Sequence, residues 1–295
     1  MQDIIVIVGP TGVGKTKLSI ELAKRLGAEI INGDSVSIYK NLNIGSAKPT
    51  VTEREGIVHH LIDIREVDEE YSVYDYQKDA RELIDSLSKQ NKRIIIVGGT
   101  GLYIKAALYD YNFSKEEVKN NYDVLSIDEL ISKIKNYNYE IKKDDLNNRR
   151  RLVRLLNKLE NNEVIDNNKD KLLYNIKVIG LTTDREVLYN RINKRVDLMI
   201  QNGLVEEVTY LKDKYKCSRI LNSAIGYKEF FDYLYNNKSL EEVIGEIKRN
   251  SRRFAKRQYT FFKHQFNTTW FDVDFNNFNN TIYEVYDYIR KQSND

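Results

Sequence analysis

The chain has 295 residues, enough for one large domain or two smaller ones with a substantial core. Its 47 Lys and Arg residues nearly balance 44 Asp and Glu residues, so the net charge of +3 alone indicates no polyanionic partner. The single cysteine, Cys217, excludes an internal disulfide, and only three histidines argue against a zinc centre. Because the first apolar run is only five residues long, we expect a soluble cytoplasmic protein without a membrane segment.

The first predicted strand, Ile4–Val8, leads directly into a phosphate-binding pattern, G-x-x-x-x-G-K-[ST]. The residues of this pattern are Gly9, Pro10, Thr11, Gly12, Val13, Gly14, Lys15 and Thr16. Its backbone N–H groups can surround an anion, and the helix predicted over Lys15–Leu26 adds its positive N-terminal end. Lys15 supplies a cation, and the Thr16 hydroxyl can bind Mg²⁺. A glycine turn that binds nothing is the alternative, and it leaves the Lys and Thr unexplained.

Strands and helices then alternate over the first hundred residues. The predicted elements are a strand at Ala28–Asn32, a third strand at His60–Ile64, a helix at Tyr74–Gln90 and a strand at Arg93–Val97. Short apolar strands separated by helices predict an α/β fold, a P-loop NTPase-like parallel sheet flanked by helices. Since ligands bind at the carboxyl ends of such strands, we expect the phosphate loop, Asp34 and Thr100 to converge there.

The pattern changes between residues 111 and 174, which are polar, helical and without a clear strand. A strand returns at Ile176–Leu181, and mostly long helices follow from Asp184. We therefore expect residues 1–110 and 175–295 to form the α/β core, and residues 111–174 to form an inserted small all-helical domain.

Asp34 follows the second strand and is expected to face the phosphate site. It could act as a general base or hydrogen-bond acceptor for an attacking group. It could equally cap a helix that starts at Ser35, or bind Mg²⁺ through water, and the residue alone does not separate these roles.

The strand Arg93–Val97 ends in Gly98-Gly99-Thr100, without the carboxylate that holds Mg²⁺ in motor-type NTPases. This favours an enzyme in which the phosphate is a leaving group or donor over a hydrolytic motor or switch. Thr100 then offers a neutral hydroxyl near the reaction centre, unless it caps the helix that begins near Leu102.

Two helices are strongly basic. In Arg149–Leu159 the cations share one side of the helix, and in Ile247–Lys263 there are seven cations and no acid. A solvated surface normally mixes charges of both signs, so we favour a nucleic-acid contact over a solvated face. Some of these arginines could instead reach the small phosphate ligand.

The motifs, in order, resemble those of the tRNA dimethylallyltransferases (tRNA isopentenyltransferases) over nearly the whole chain. The phosphate loop is widespread, whereas the segments Gly33–Pro49 and Val97–Ala106 are much more specific. The other matching segments are His59–Ile64, Tyr71–Tyr76, Asn147–Leu156, Arg185–Val208, Ala224–Phe230 and Arg252–Lys263.

The resemblance implies transfer of a dimethylallyl group from dimethylallyl diphosphate to N6 of the adenosine at tRNA position 37. The phosphate loop and Thr16-bound Mg²⁺ would hold the diphosphate, Asp34 would accept the N6 proton, and Thr100 would help to place the amine. The partner would be the anticodon stem-loop of tRNA, bound by a monomer. The implied tRNA-binding residues are Asp34, Ser35, Val36, Ser37, Arg150, Arg151, Leu152, Val153, Arg154, Arg252, Arg253, Lys256 and Arg257.

Three other functions share some of these features. A small-molecule kinase would use the loop, the Mg²⁺ and an Asp, but it does not explain the long basic helix. An RNA-binding P-loop protein gated by a nucleotide leaves Asp34 without a chemical role. A prenyltransferase for free adenine nucleotides is closest in chemistry, and the basic helices favour tRNA over it.

Overall fold

The computed structural model describes residues 3–111, 122, 124–161, 171–216, 218–235 and 237–292. Cys217 and parts of the predicted insertion (112–121, 123 and 162–170) lie outside the described residues. The strands are β1 Ile4–Val8, β2 Ala28–Asn32, β3 His59–His60, β4 Arg93–Val97, β5 Ile176–Thr182 and β6 Thr268–Asp272. The helices are α1 Lys15–Leu26, α2 Val73–Lys89, α3 Gly101–Leu108, α4 Ile127–Lys135, α5 Arg149–Glu160, α6 Arg185–Gln201, α7 Leu204–Lys214, α8 Arg219–Ser223, α9 Phe230–Leu234, α10 Leu240–Gln265 and α11 Phe278–Lys291, with a 3₁₀ turn at Lys143–Asp145.

All six strands form one sheet in the order β3-β2-β4-β1-β5-β6, and every pairing is parallel. The sheet buries apolar side chains on both faces, as a parallel sheet covered by helices requires. Along β1, Val6 and Val8 pack into the core on one face, and Ile5 and Ile7 pack into the core on the other. The predicted α/β fold is confirmed, and no helix in the described ranges is long and apolar enough to cross a membrane.

Two strands differ from the sequence prediction. The third strand has only two residues, His59–His60, because Leu61 and Asp63 adopt positive φ angles of 58° and 59° that end the extended backbone. Mostly long helices were predicted from Asp184 onward, yet β6 adds an edge strand beside β5. Its pairing depends on a partner some ninety residues earlier in the chain, which a local pattern does not reveal.

The described chain divides into two compact units, Met1–Tyr109 with Leu172–Asp295, and Asp110–Lys171. In the smaller unit, Leu130 and Ile134 from α4 and Leu152 and Leu156 from α5 are fully buried together. Helix α4 begins with a capping box, in which Ser126 and Glu129 exchange hydrogen bonds between side chain and backbone.

In the larger unit, the Glu207 carboxylate on α7 anchors the loop at residues 43–45. It accepts hydrogen bonds from the backbone N–H groups of Asn43, Ile44 and Gly45, at distances of 2.9 to 3.1 Å. It also accepts the hydroxyl of fully buried Tyr227 at 2.7 Å. This side chain therefore fixes a loop that has no regular secondary structure of its own.

We expect Glu207→Ala to lower the free energy of unfolding by at least about 2 kcal/mol, because several donors lose their acceptor. The only tryptophan, Trp270, lies in β6, so urea unfolding followed by its fluorescence reports on the larger unit. Glu206→Ala is the matched control, because Glu206 is the exposed neighbour on the same helix, and it should change the stability by less than about 0.5 kcal/mol. Equal midpoints for the two variants would contradict this role of Glu207.

Candidate active site

The phosphate loop connects β1 to α1 and leaves the start of the helix open to a ligand. Gly14 is the N-cap residue of α1, and no side chain caps the helix there. Its φ of 101° lies in the left-handed region, and a Cβ at this position would lie 2.7 Å from the Phe278 ring. The first N–H groups of α1 are thus available to an anion, together with the positive end of the helix dipole.

Lys15 lies over this loop. Its Nζ donates hydrogen bonds to the backbone oxygens of Gly9 and Pro10, at 2.9 and 2.8 Å. Burial lowers the pKa of Lys15 to about 8, the positive charge of Arg195 adds to this effect, and the carboxylate of Asp34 opposes it. Lys15 and Asp34 therefore interact electrostatically within one site, as the convergence of strand ends predicts.

Asp34 is held by the end of β2. The Asn32 side chain accepts a hydrogen bond from the Asp34 N–H at 3.0 Å and donates to the Asp34 carbonyl at 2.9 Å. One carboxylate oxygen of Asp34 accepts from the Val36 N–H at 3.3 Å. The segment that follows is a turn, so the alternative in which Asp34 caps a helix starting at Ser35 is wrong.

Thr100 occupies the N-cap position of α3, but its side chain does not cap the helix. Its hydroxyl accepts a hydrogen bond from the Ser35 N–H at 3.0 Å and lies 3.2 Å from the Ser35 hydroxyl. The capping alternative for Thr100 is therefore wrong as well. Thr100 instead connects the β4–α3 turn to the segment that carries Asp34.

Lys15 and Asp34 line a cavity of about 870 Å³, whereas Thr100 is not among its lining residues and contacts it through Ser35. Its wall includes phosphate-loop residues, the whole segment from Asp34 to Ser37, and part of the loop that Glu207 anchors. Helices α6 and α10 complete the wall with both charged and apolar side chains. Those on which the following paragraphs depend are Arg191, Arg195, Val196, Met199, Ile247, Arg257 and Gln258.

Three of these side chains contact the phosphate loop, although the sequence predicted no role for them: Arg191, Arg195 and Gln258. Arg195 donates to the Thr11 hydroxyl at 3.0 Å, and desolvation of its guanidinium lowers its pKa while Asp34 opposes the shift. Arg191 donates to the Gly12 carbonyl at 3.1 Å, and its guanidinium lies 3.8 Å from the centre of the Phe275 ring. Gln258 bonds to the Thr11 N–H. Their only sequence signal was membership of matching family segments.

Magnesium could be held at this site only with oxygen atoms from a ligand or water. Thr16 lines the cavity and is exposed, which suits a single hydroxyl ligand. Among the described residues, no group of three or more His, Cys, Asp or Glu side chains could hold a metal ion. The residues present thus fit an ion that arrives with a phosphate group, the usual arrangement for Mg²⁺.

Several cations of the basic helix α10 have partners, so its charges are less exposed to a ligand than the sequence indicated. Lys248 pairs with Asp197 on α6 at 2.6 Å, and Arg249 lies 3.5 Å from Glu246 one turn earlier. Arg252 donates to the Asn193 side chain at 2.6 Å. Arg249 remains exposed despite its pair with Glu246, and the next turns add the exposed cations Arg253, Lys256, Arg257 and Lys263.

On α5 of the smaller unit, Arg150, Arg151 and Arg154 are exposed, and Arg151 pairs with Asp145 at 2.6 Å. Leu152 is fully buried in the small core, and Val153 packs against that core. The prediction of a tRNA contact through the Leu152 side chain needs correction, because that side chain has no exposed surface.

Comparison with known proteins gives a consistent result. The sequence model of the IPP transferase family matches residues 37–265. The tRNA dimethylallyltransferase of Anoxybacillus flavithermus is 45% identical, over 98% of this chain and 96% of its own length.

Solved structures agree with these sequence matches. The full-length tRNA isopentenylpyrophosphate transferase of Bacillus halodurans superposes with a TM-score of 0.77 at 39% identity, covering 99% of this chain and 96% of the other. A eukaryotic dimethylallyltransferase acting on tRNA gives a TM-score of 0.74 at 27% identity, over 92% and 74% of the two chains. With a family match over most of its length and relatives above 40% identity, this chain belongs to the IPP transferase family, that of the tRNA dimethylallyltransferases.

Proposed function

We propose that this protein transfers the dimethylallyl group of dimethylallyl diphosphate to N6 of the adenosine at tRNA position 37, next to the anticodon. The observation that carries this proposal is the presence of Asp34 and the phosphate loop in the wall of one cavity, close enough for their charges to interact. A diphosphate leaving group and a base for the attacking amine would then lie on two sides of one substrate.

In this reaction the N6 amine attacks the allylic carbon that bears the diphosphate, and the carbon–oxygen bond breaks with its electrons leaving on the diphosphate. The N6 proton goes to the Asp34 carboxylate. Negative charge grows on the departing diphosphate, where Lys15, Arg195 and the N–H groups at the start of α1 stabilise it. Mg²⁺ bound near Thr16 would supply further charge neutralisation.

The remaining walls suit the other parts of the substrates. Val196, Met199 and Ile247 give the cavity an apolar surface for the dimethylallyl group. Ser35 and Ser37 line the same cavity near Asp34, where an adenine could hydrogen-bond. An anticodon-loop adenosine is already unpaired, so it can leave its stack and enter such a cavity at a lower cost than a paired base.

The direct test incubates the protein with labelled dimethylallyl diphosphate, unmodified tRNA and Mg²⁺, followed by nucleoside analysis by mass spectrometry. We expect one dimethylallyl group on N6 of the adenosine at position 37. A parallel reaction with adenosine monophosphate tests the alternative that the acceptor is a free nucleotide. An enzyme of that kind would modify adenosine monophosphate and leave the tRNA unchanged. Phosphate transfer from ATP without prenylation would instead favour a kinase.

Asp34→Asn should lower kcat about 10²- to 10⁴-fold, because the amide cannot accept the proton that leaves N6. Binding of dimethylallyl diphosphate and of tRNA should change little, since the substitution keeps the shape of the side chain. Single-turnover kinetics and filter binding measure the two effects separately. The control is Asp68→Asn, which removes the same charge from an exposed residue. Unchanged turnover in the Asp34 variant would remove this residue from the mechanism.

Lys15 should make diphosphate binding depend on pH. The pKa of about 8 means that the ammonium is charged below pH 8 and neutral above it, and only the charged form attracts the diphosphate. We therefore expect the ratio of wild-type to Lys15→Gln affinity for dimethylallyl diphosphate to fall about tenfold from pH 7 to pH 9. Using the ratio cancels ionisation of the diphosphate itself. Isothermal titration calorimetry at several pH values measures this affinity ratio. A ratio that stays constant with pH would refute the role of the Lys15 charge in diphosphate binding.

Exposed cations on α10 should bind the RNA backbone. We expect the double variant Arg253→Gln with Lys256→Gln to weaken tRNA binding and to reduce the slope of log affinity against log salt by about 2. The matched control is Lys248→Gln with Arg249→Gln, which removes two paired cations from the same helix and should have a smaller effect. Equal effects of the two double variants would exclude a specific RNA face at Arg253 and Lys256.

A further inference from the structure

Gln258 on α10 makes hydrogen bonds to two different loops of the candidate site. Among the described residues, no other side chain of α10 does so. Gln258 is almost fully buried, with 4% of its surface exposed. Its Oε1 accepts the Thr11 N–H of the phosphate loop at 2.9 Å. Its Nε2 donates to the Gly99 carbonyl of the β4–α3 turn at 3.0 Å. One amide group therefore joins the diphosphate side of the cavity to the turn that ends in Thr100.

The two loops joined by Gln258 carry different parts of the proposed chemistry. Thr11 also receives a hydrogen bond from Arg195, so its position affects a charged side chain of the phosphate site. Gly99 lies next to Asp34, because a Cβ built on Gly99 would lie 3.4 Å from the Asp34 carboxylate and would overlap the Gln258 amide. Thr100, the next residue, bonds to Ser35.

Both ends of the amide are needed. A side chain that only accepts would satisfy Thr11 but leave the Gly99 carbonyl without its donor, and a side chain that only donates would do the reverse. Glutamine has one group of each kind at the end of a side chain long enough to reach both loops. Because the Gln258 side chain is buried, it does not belong to the exposed face of α10 that is predicted to bind RNA.

We propose that Gln258 is a positioning residue that sets the separation between the phosphate loop and the β4–α3 turn beside Asp34. This inference rests on the proposed transferase function. Transfer requires the attacking nitrogen, the allylic carbon and the leaving oxygen to be aligned, and a displacement of about 1 Å can cost about a hundredfold in rate. Loss of the amide bridge should therefore affect kcat more than substrate binding.

The substitution Gln258→Glu distinguishes a hydrogen-bonding role of Gln258 from a role in packing alone. A protonated carboxyl group has one acceptor and one donor, as the amide does, whereas a carboxylate can only accept and would repel the Gly99 carbonyl. The charged or titratable groups that line the same cavity as Gln258 are Arg257 of α10 and, from other elements, Lys15, Lys17, Glu21, Asp34, Glu53, Glu55, His59, Arg191, Arg195 and Lys228. Because the wild type carries the same groups, the ratio of variant to wild-type kcat isolates the new carboxyl group.

We expect the kcat of Gln258→Glu relative to wild type to be about 10- to 100-fold reduced at pH 8.5 and to recover at least about fivefold at pH 5.5. KM for dimethylallyl diphosphate and for tRNA should change less than about threefold. Gln258→Met, which makes neither hydrogen bond, should be reduced at every pH without recovery. Gln265→Glu is the matched control on the same helix, since its partner Lys105 donates equally well to a carboxylate, and it should resemble the wild type.

A pH-independent ratio for Gln258→Glu, or a loss seen in KM alone, would overturn the proposal. If Gln258→Glu does not fold, Gln258→Met decides the question, and an unchanged kcat in that variant overturns it. Failure of the proposed function is a separate result, because the wild-type protein itself would then transfer no dimethylallyl group to tRNA.

Discussion

The site depends on three parallel strands that end at the same edge of the sheet. β1, β2 and β4 are neighbours in register, and their hydrogen bonds continue beyond the strand ends. Gly33 N–H bonds to the Val97 carbonyl, Gly98 N–H to the Ile7 carbonyl and Thr100 N–H to the Gly33 carbonyl. These bonds bring together three loops that are widely separated in sequence, and so place a phosphate-binding loop opposite a carboxylate.

Charge is distributed unevenly around the resulting cavity. Burial lowers the pKa of both Lys15 and Arg195, the charge of Arg195 lowers the pKa of Lys15 further, and Asp34 opposes both shifts. An anionic ligand would relieve this repulsion, since it favours the protonated form of Lys15. Two half-buried cations with one carboxylate thus form a site whose charges a diphosphate would balance, while the nearby apolar wall would suit an uncharged group.

Two side chains outside the phosphate loop hold the surrounding segments in place. Glu207 accepts three consecutive backbone N–H groups of the loop at residues 43–45, and Gln258 bridges Thr11 and Gly99. Both act on irregular backbone, where no ladder of strand or helix hydrogen bonds fixes the conformation. The precision of the cavity therefore depends on α7 and α10 as much as on the sheet.

The sequence alone determined the parallel sheet, the bounds of β1, α1, β2 and β4, the phosphate loop and the family resemblance, because apolar periodicity and glycine spacing are local signals. Only the tertiary structure decided the length of β3, the presence of β6, the burial of Leu152 and the ion pairs that neutralise Lys248 and Arg249. It also placed Arg191, Arg195 and Gln258 at the cavity. β6, the Lys248–Asp197 pair and the placement of Arg191, Arg195 and Gln258 each depend on a partner far away in the chain. A contact at such a distance leaves no periodic pattern in the sequence around either residue.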